Sequence, residues 1–87
     1  MKPYRIKHIE SGLYYRPARG RNKSNLSTHG NVYLTKNSPF YDKSSYIHIQ
    51  VDKDTRVFNK AKEMFPVGRD GNISCYANKI QFIIEEL

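Results

Sequence analysis

The chain has 87 residues, enough for one domain and too few for two, because ordinary domains need about 100 to 200 residues each. No apolar run approaches the roughly 20 residues that span a membrane, and the amino-terminal end lacks the apolar stretch of a secretory signal. These absences predict a cytoplasmic protein without a membrane partner. The one cysteine, Cys75, excludes an internal disulfide and a cysteine-based zinc site within these residues.

Positive charge is concentrated in the first two-fifths of the chain. The formal net charge is +7, and residues 1–36 hold eight basic residues against a single acid, Glu10. Residues 37–87 hold seven basic and seven acidic residues, so they contribute no net charge. If the positive charge served only to keep the protein soluble, basic residues spread along the whole chain would do so equally well. The segregation therefore favours a surface that attracts polyanions.

The amino-terminal third predicts strands separated by turns. Residues 4–9 alternate between apolar and basic side chains, and a return strand over 13–16 completes a β-hairpin. Residues 17–25 carry Pro, Gly and several basic side chains, which predicts a mobile basic loop. A third strand is predicted over 31–35, with Val32 and Leu34 facing the core.

The remaining chain predicts three more strands around one helix. Residues 46–51 alternate, with Ile47, Ile49 and Val51 facing inward. Strands are also predicted over 73–76 and 79–85, the second with Ile80, Phe82 and Ile84 on its core face. The order is β-β-β-β-α-β-β. It indicates a small α+β fold with a mostly antiparallel sheet, in a single domain over 1–87.

The helix is predicted within residues 52–66, where the apolar spacing changes to the helical period. Asp54 or Thr55 can cap its first turn, and Pro66 ends it. Its apolar face comprises Val57, Phe58, Ala61, Met64 and Phe65.

Catalytic chemistry has little support in the sequence. A pair of histidines, His8 and His48, could cleave RNA by acid–base catalysis if sheet pairing brought them together. No local spacing of His, Asp or Glu matches a metal site, and the glycines are too dispersed for a phosphate-cradling loop. We therefore predict no catalytic residues, no metal and no cofactor.

The first 36 residues instead predict a surface that binds RNA. With the apolar side chains turned inward, basic and tyrosine side chains share the outer face beside the basic loop. Cations neutralise phosphates, and exposed rings offer base-stacking platforms on unpaired strands. The predicted RNA-binding residues are Arg5, Lys7, Tyr14, Arg16, Arg19, Arg21, Lys23, Tyr33 and Lys36.

Unpaired RNA fits this pattern better than duplex DNA. The predicted helix carries Arg56, Lys60 and Lys62 but also acids, so it lacks the basic face of a DNA recognition helix. These three cations can still extend the RNA footprint, or they can form an ordinary solvated helix face.

Two stretches, residues 6–15 and 25–36, and the basic loop between them resemble the small basic accessory proteins of T-even-type tailed bacteriophages. The resemblance is to inhibitors of toxin ribonucleases within that group. It implies an RNA-binding protein that blocks a host endoribonuclease toxin of an RNA-antitoxin system during infection. It identifies no individual site residue.

The sequence therefore predicts a non-enzymatic RNA-binding protein whose partners are RNA and a host toxin ribonuclease. Two alternatives remain open. One is a protein–protein inhibitor that docks on an acidic partner without nucleic acid, and the other is a small histidine-dependent ribonuclease. A homodimer is also predicted through the last strand, because Ile83 lies on the face opposite its apolar side.

Overall fold

The computed structural model describes residues 2–18 and 23–87 and confirms the predicted α+β fold. The strands are β1 Tyr4–His8, β2 Tyr14–Tyr15, β3 Leu26–Ser27, β4 Tyr46–Val51, β5 Ile73–Asn78 and β6 Phe82–Glu86, and the helix α1 is Phe58–Ala61. They form a four-stranded sheet in the order β3-β2-β1-β6 and a two-stranded sheet of β4 and β5. Every strand pair in both sheets is antiparallel.

Strand β1 lies inside the four-stranded sheet, and its alternating burial is the one that its sequence predicts. Tyr4, Ile6 and His8 are buried, whereas Arg5 and Lys7 point to the other face. Along its full length β1 pairs with β6, and on its other side it pairs with β2. This position places the two basic side chains of β1 in the middle of the outer sheet face.

The two sheets meet where the chain returns from the basic loop. Ser24 forms an isolated antiparallel bridge with Val51. The backbone N–H of Asp52 donates to the carbonyl of Lys23 at 3.0 Å. One hydrophobic core contains side chains from both sheets, among them Ile6 and Ile49, which are fully buried. The return of the chain at residues 23–25 therefore fixes how the two sheets sit together.

The third strand lies earlier than predicted, and residues 31–35 make only one bridge, between Tyr33 and Tyr4. Their alternation is reversed: Val32 and Leu34 are exposed, whereas Tyr33 packs against the core. The ring of Tyr33 stacks on the buried ring of Tyr4, with the two centroids 5.6 Å apart. Aromatic packing thus overrides the aliphatic pattern from which the strand and the outward position of Tyr33 were predicted.

The helix is much shorter than predicted, although its apolar spacing is correct. Val57, Ala61 and Phe65 are buried, yet α1 itself spans only Phe58–Ala61. No side chain caps α1. The hydroxyl of Thr55 instead donates to the carbonyl of Asp52 at 2.8 Å, which keeps the preceding residues in a turn.

The last strand begins three residues later than predicted. Residues Lys79–Gln81 form a 3₁₀ turn, in which the side chain of Asn78 accepts from the backbone N–H of Ile80 at 3.0 Å. Ile80 is consequently 82% exposed and does not belong to the core face, whereas Phe82 is buried. In the described part of the chain, no helix has the length and apolar character needed to cross a membrane.

Candidate nucleic-acid interface

Four side chains meet on the outer face of the four-stranded sheet, and we call them the strand patch: Arg5, Lys7, Tyr14 and Glu85. The guanidinium of Arg5 lies over the Tyr14 ring, 4.2 Å from its centroid. Its Nη2 donates to Oε1 of Glu85 at 2.6 Å, and the Tyr14 hydroxyl donates to Oε2 at 2.8 Å. The Nζ of Lys7 lies 3.9 Å from the same carboxylate. The structure thus brings together three of the predicted RNA-binding residues.

Glu85 organises the strand patch and offsets part of its charge. Hydrogen bonds from the Tyr14 hydroxyl and from Arg5 lower the pKa of the Glu85 carboxyl, and the bond to Glu85 raises the pKa of Tyr14. One carboxylate faces two cations, so the strand patch keeps a positive charge. The guanidinium of Arg5 covers one face of the Tyr14 ring, which is partly exposed.

The turn through His29 and Gly30 lies directly against the strand patch. The Nη1 of Arg5 lies 3.5 Å from the carbonyl oxygen of His29. Gly30 has a φ of +69°, and a Cβ at this position would lie 2.3 Å from the Cβ of Tyr14. Only glycine fits this contact without displacing Tyr14.

Beyond this turn lies a cleft of about 540 Å³, within the size range of small-molecule sites. Two arginines from distant parts of the chain line it: Arg16 follows β2, and Arg56 precedes α1. The Nε of Arg16 donates to the carbonyl of Ser24 at 3.1 Å, which anchors this side chain. His29 also lines the cleft, so one residue joins it to the strand patch.

The lining of the cleft combines positive charge with other functional groups. Its polar groups include the carboxylate of Asp54 and the hydroxyl of Thr28, and Val57, which is 9% exposed, adds a small apolar surface. Within residues 2–18 and 23–87, no carboxylate lies within ion-pair distance of either arginine. Both cations are therefore available to an anionic ligand.

Two of the other predicted RNA-binding residues, Tyr33 and Lys36, lie away from this surface. Tyr33 packs on the core, where burial raises its pKa, so its predicted outward position is wrong. Lys36 lies elsewhere, with its Nζ 5.7 Å from the centroid of the Tyr41 ring. Lys23 is exposed at the end of the basic loop, whereas Arg19 and Arg21 lie outside the described residues.

The two histidines of the ribonuclease alternative have different surroundings. His8 is 1% exposed. Its Nδ1 accepts the backbone N–H of Ser11 at 3.3 Å, and its Nε2 lies 3.2 Å from Oε1 of Gln81. His48 lies on the exposed face of the other sheet, beside Tyr76. The contacts of the two rings share no residue, so the geometry offers no support for an acid–base pair.

Several functional groups of this surface were not predicted from the sequence. The sequence pattern predicts Asp54 as a helix cap and Arg56 as an extension of the RNA footprint, and it assigns no binding role to His29 or Glu85. The cross-strand pair of Arg5 with Glu85 needs the register of β1 against β6, which no local pattern specifies.

In residues 2–18 and 23–87, no group of three or more His, Cys, Asp or Glu side chains is placed to hold a metal ion.

Comparison of the chain with protein-family models, with curated proteins and with solved structures finds no match.

Proposed function

We propose that the protein binds RNA without cleaving it, and that it inhibits a host toxin endoribonuclease through the bound RNA. One observation supports RNA binding above all: the strand patch and the cleft form neighbouring parts of one surface, joined at His29. Arg5 and Lys7 lie on one side of that turn and Arg16 and Arg56 on the other. The arrangement suits a phosphate backbone that passes over both.

The surface also favours unpaired RNA over a rigid duplex. One face of the Tyr14 ring is covered by Arg5, so the ring is held in place and can present its other face to a base. The cleft is concave, so a base that projects from an unpaired strand can enter it, whereas the bases of a duplex remain stacked. Both features require the bases to be accessible.

Inhibition of a toxin through RNA rests on the resemblance to phage accessory proteins together with the charge. A basic ribonuclease and a protein of net charge +7 repel each other, which disfavours direct contact between their basic faces. An RNA strand can bridge two cationic surfaces, and several protein copies on one strand add avidity.

Binding of a fluorescently labelled single-stranded oligoribonucleotide, measured at several salt concentrations, tests the RNA proposal. Arg56→Ala should weaken binding and reduce the slope of log K against log salt by about 0.7, the value of one lost phosphate contact. Arg69→Ala removes the same charge from an exposed turn outside the cleft and should leave the slope unchanged. Equal slopes for the two variants would place the contacts elsewhere.

Cleavage of a labelled transcript by the toxin tests the inhibitor role. The wild-type protein should protect the transcript, and protection should fall when the basic residues of the 16–23 region are neutralised. A complex with the toxin that survives complete removal of RNA would instead support the protein–protein inhibitor.

A further inference from the structure

The cleft contains groups for more than a phosphate, and we propose that it seats one complete nucleotide of the RNA. This inference rests on the proposed function and specifies its recognition unit. The phosphate lies between Arg16 and Arg56, and Asp54 accepts a hydrogen bond from the ribose or from a base amino group.

The volume of the cleft matches this ligand. At about 540 Å³ it has room for a sugar and a base beside a phosphate, whereas a phosphate alone would fill a small part of it. The small exposed part of Val57 offers an apolar contact that a base or sugar ring uses, and a phosphate gains nothing from it.

Asp54 is the observation that separates a nucleotide from a simple anion. A carboxylate accepts hydrogen bonds but donates none, and it repels a phosphate. In a site for a simple anion without a proton to donate, such as sulfate, Asp54 is purely unfavourable. In a nucleotide site it has hydroxyl or amino donors to bind, while the two arginines lining the same cleft hold the phosphate.

Arg16 also connects this site to the chain that follows it. Its Nε is engaged by the carbonyl of Ser24, so its remaining guanidinium N–H groups are the ones available to a phosphate. Lys23 lies next to Ser24 at the far end of the basic loop. A nucleotide in the cleft therefore lies near Lys23, whose ammonium group can contact a neighbouring phosphate of the same strand.

The decisive experiment removes the negative charge of Asp54 and measures whether binding of each ligand becomes weaker or stronger. Binding of adenosine, uridine, guanosine and cytidine 5′-monophosphates and of sulfate is measured by NMR titration of the whole chain. Asp54→Asn should weaken binding of at least one monophosphate about tenfold, the effect of losing a hydrogen bond to a charged group. The same substitution should strengthen binding of sulfate, which has no proton to donate to Asp54, since it removes a repelling charge. Glu63→Gln, a matched loss of one exposed carboxylate outside the cleft, should leave both unchanged.

Arg56→Ala should weaken binding of monophosphate and sulfate alike, and Arg56→Lys should restore part of both. Competition against the labelled oligoribonucleotide then separates the two proposals. Displacement of RNA by a monophosphate supports both. RNA binding without monophosphate binding, or tighter binding of all anions by Asp54→Asn, would overturn the nucleotide site and leave RNA binding intact. Monophosphate binding without RNA binding would overturn the proposed function and, with it, the assignment of the cleft to RNA.

Discussion

Asn25 and Gln50 exchange two hydrogen bonds across the junction of the two sheets. The backbone N–H of Asn25 donates to the carbonyl of Gln50 at 2.7 Å, and the side-chain Oδ1 of Asn25 accepts from the backbone N–H of Gln50 at 2.8 Å. The side-chain Nδ2 of Asn25 also donates to the carbonyl of Arg16 at 3.1 Å. One buried amide thus ties the end of β2 to β4, beside the arginine that lines the cleft.

Asn25→Ala should lower the free energy of unfolding by about 1–3 kcal/mol, because it leaves the N–H of Gln50 and the carbonyl of Arg16 without these partners. Chemical denaturation followed by circular dichroism measures the effect. The exposed Asn37 provides the control, and Asn37→Ala should change stability by less than about 0.5 kcal/mol. Similar losses for both variants would contradict the role assigned to Asn25.

Glu85→Gln should reduce stability at neutral pH and remove part of its dependence on acid. The folded pKa of Glu85 is lowered, first by the Tyr14 hydroxyl and then by Arg5. Its carboxylate therefore stabilises the fold above the unfolded pKa of about 4.3, and this contribution is lost as the pH falls through the folded pKa. Urea denaturation of both proteins between neutral and acidic pH should show their difference shrinking in acid. The neighbouring variant Glu86→Gln should retain the wild-type pH dependence, and a Glu85→Gln deficit that persists in strong acid would count against the linkage.

Gly30→Ala should destabilise the protein more than Gly12→Ala. Both glycines have positive φ, +69° and +74°, so each substitution carries the left-handed backbone cost of about 1–2 kcal/mol. A Cβ at Gly12 meets nothing within 4 Å, whereas a Cβ at Gly30 would collide with Tyr14. Thermal denaturation should therefore rank the variants wild type, Gly12→Ala, Gly30→Ala. Equal melting temperatures for the two variants would show that Tyr14 moves away at little cost.

Replacing Arg19, Arg21 and Lys23 together by alanine should reduce the salt slope of RNA binding by up to about 2, at roughly 0.7 per phosphate contact on a single strand. The prediction follows from the cluster of positive charge in the first 36 residues. Anisotropy titrations at several salt concentrations measure the slope, and a melting curve checks that folding is unchanged. An unaltered slope would assign the contacts to the strand patch and the cleft alone.

A homodimer through β6 remains a prediction that sedimentation velocity can check. Strand β6 ends its sheet, with a partner strand on one side only among the described residues, and Ile83 is 52% exposed. Pairing of two β6 edges would extend the sheet and bury that side chain. Ile83→Lys should then convert a dimer to a monomer, whereas Ile9→Lys, at a similarly exposed isoleucine, should not. A wild-type protein that sediments as a monomer at micromolar concentration would dispose of the dimer.

Strong alternation made strands β1 and β4 predictable. In β1 and β4 the sequence pattern matches the observed burial, because half-buried strands impose a period of two on their side chains. The same period-two rule failed for residues 31–35, because the burial of Tyr33 depends on its contact with Tyr4, which is distant in the sequence. For the candidate interface, the alternation in β1 was enough to predict that Arg5 and Lys7 lie on the outer face of the sheet. The cleft was not, because it forms only when the turn before α1 packs beside the end of β2.

The main-chain bonds around the basic loop have a consequence for protein engineering. Arg16 donates its N–H to the carbonyl of Asn25 at 2.7 Å, and Lys23 accepts from Asp52 at 3.0 Å, so the fold itself holds both ends of the connection. Doubling the length of a connection with fixed ends costs only about 0.6 kcal/mol in closure entropy. Peptides of other lengths and charges can therefore be grafted between these ends, which makes the domain a scaffold for libraries of displayed loops.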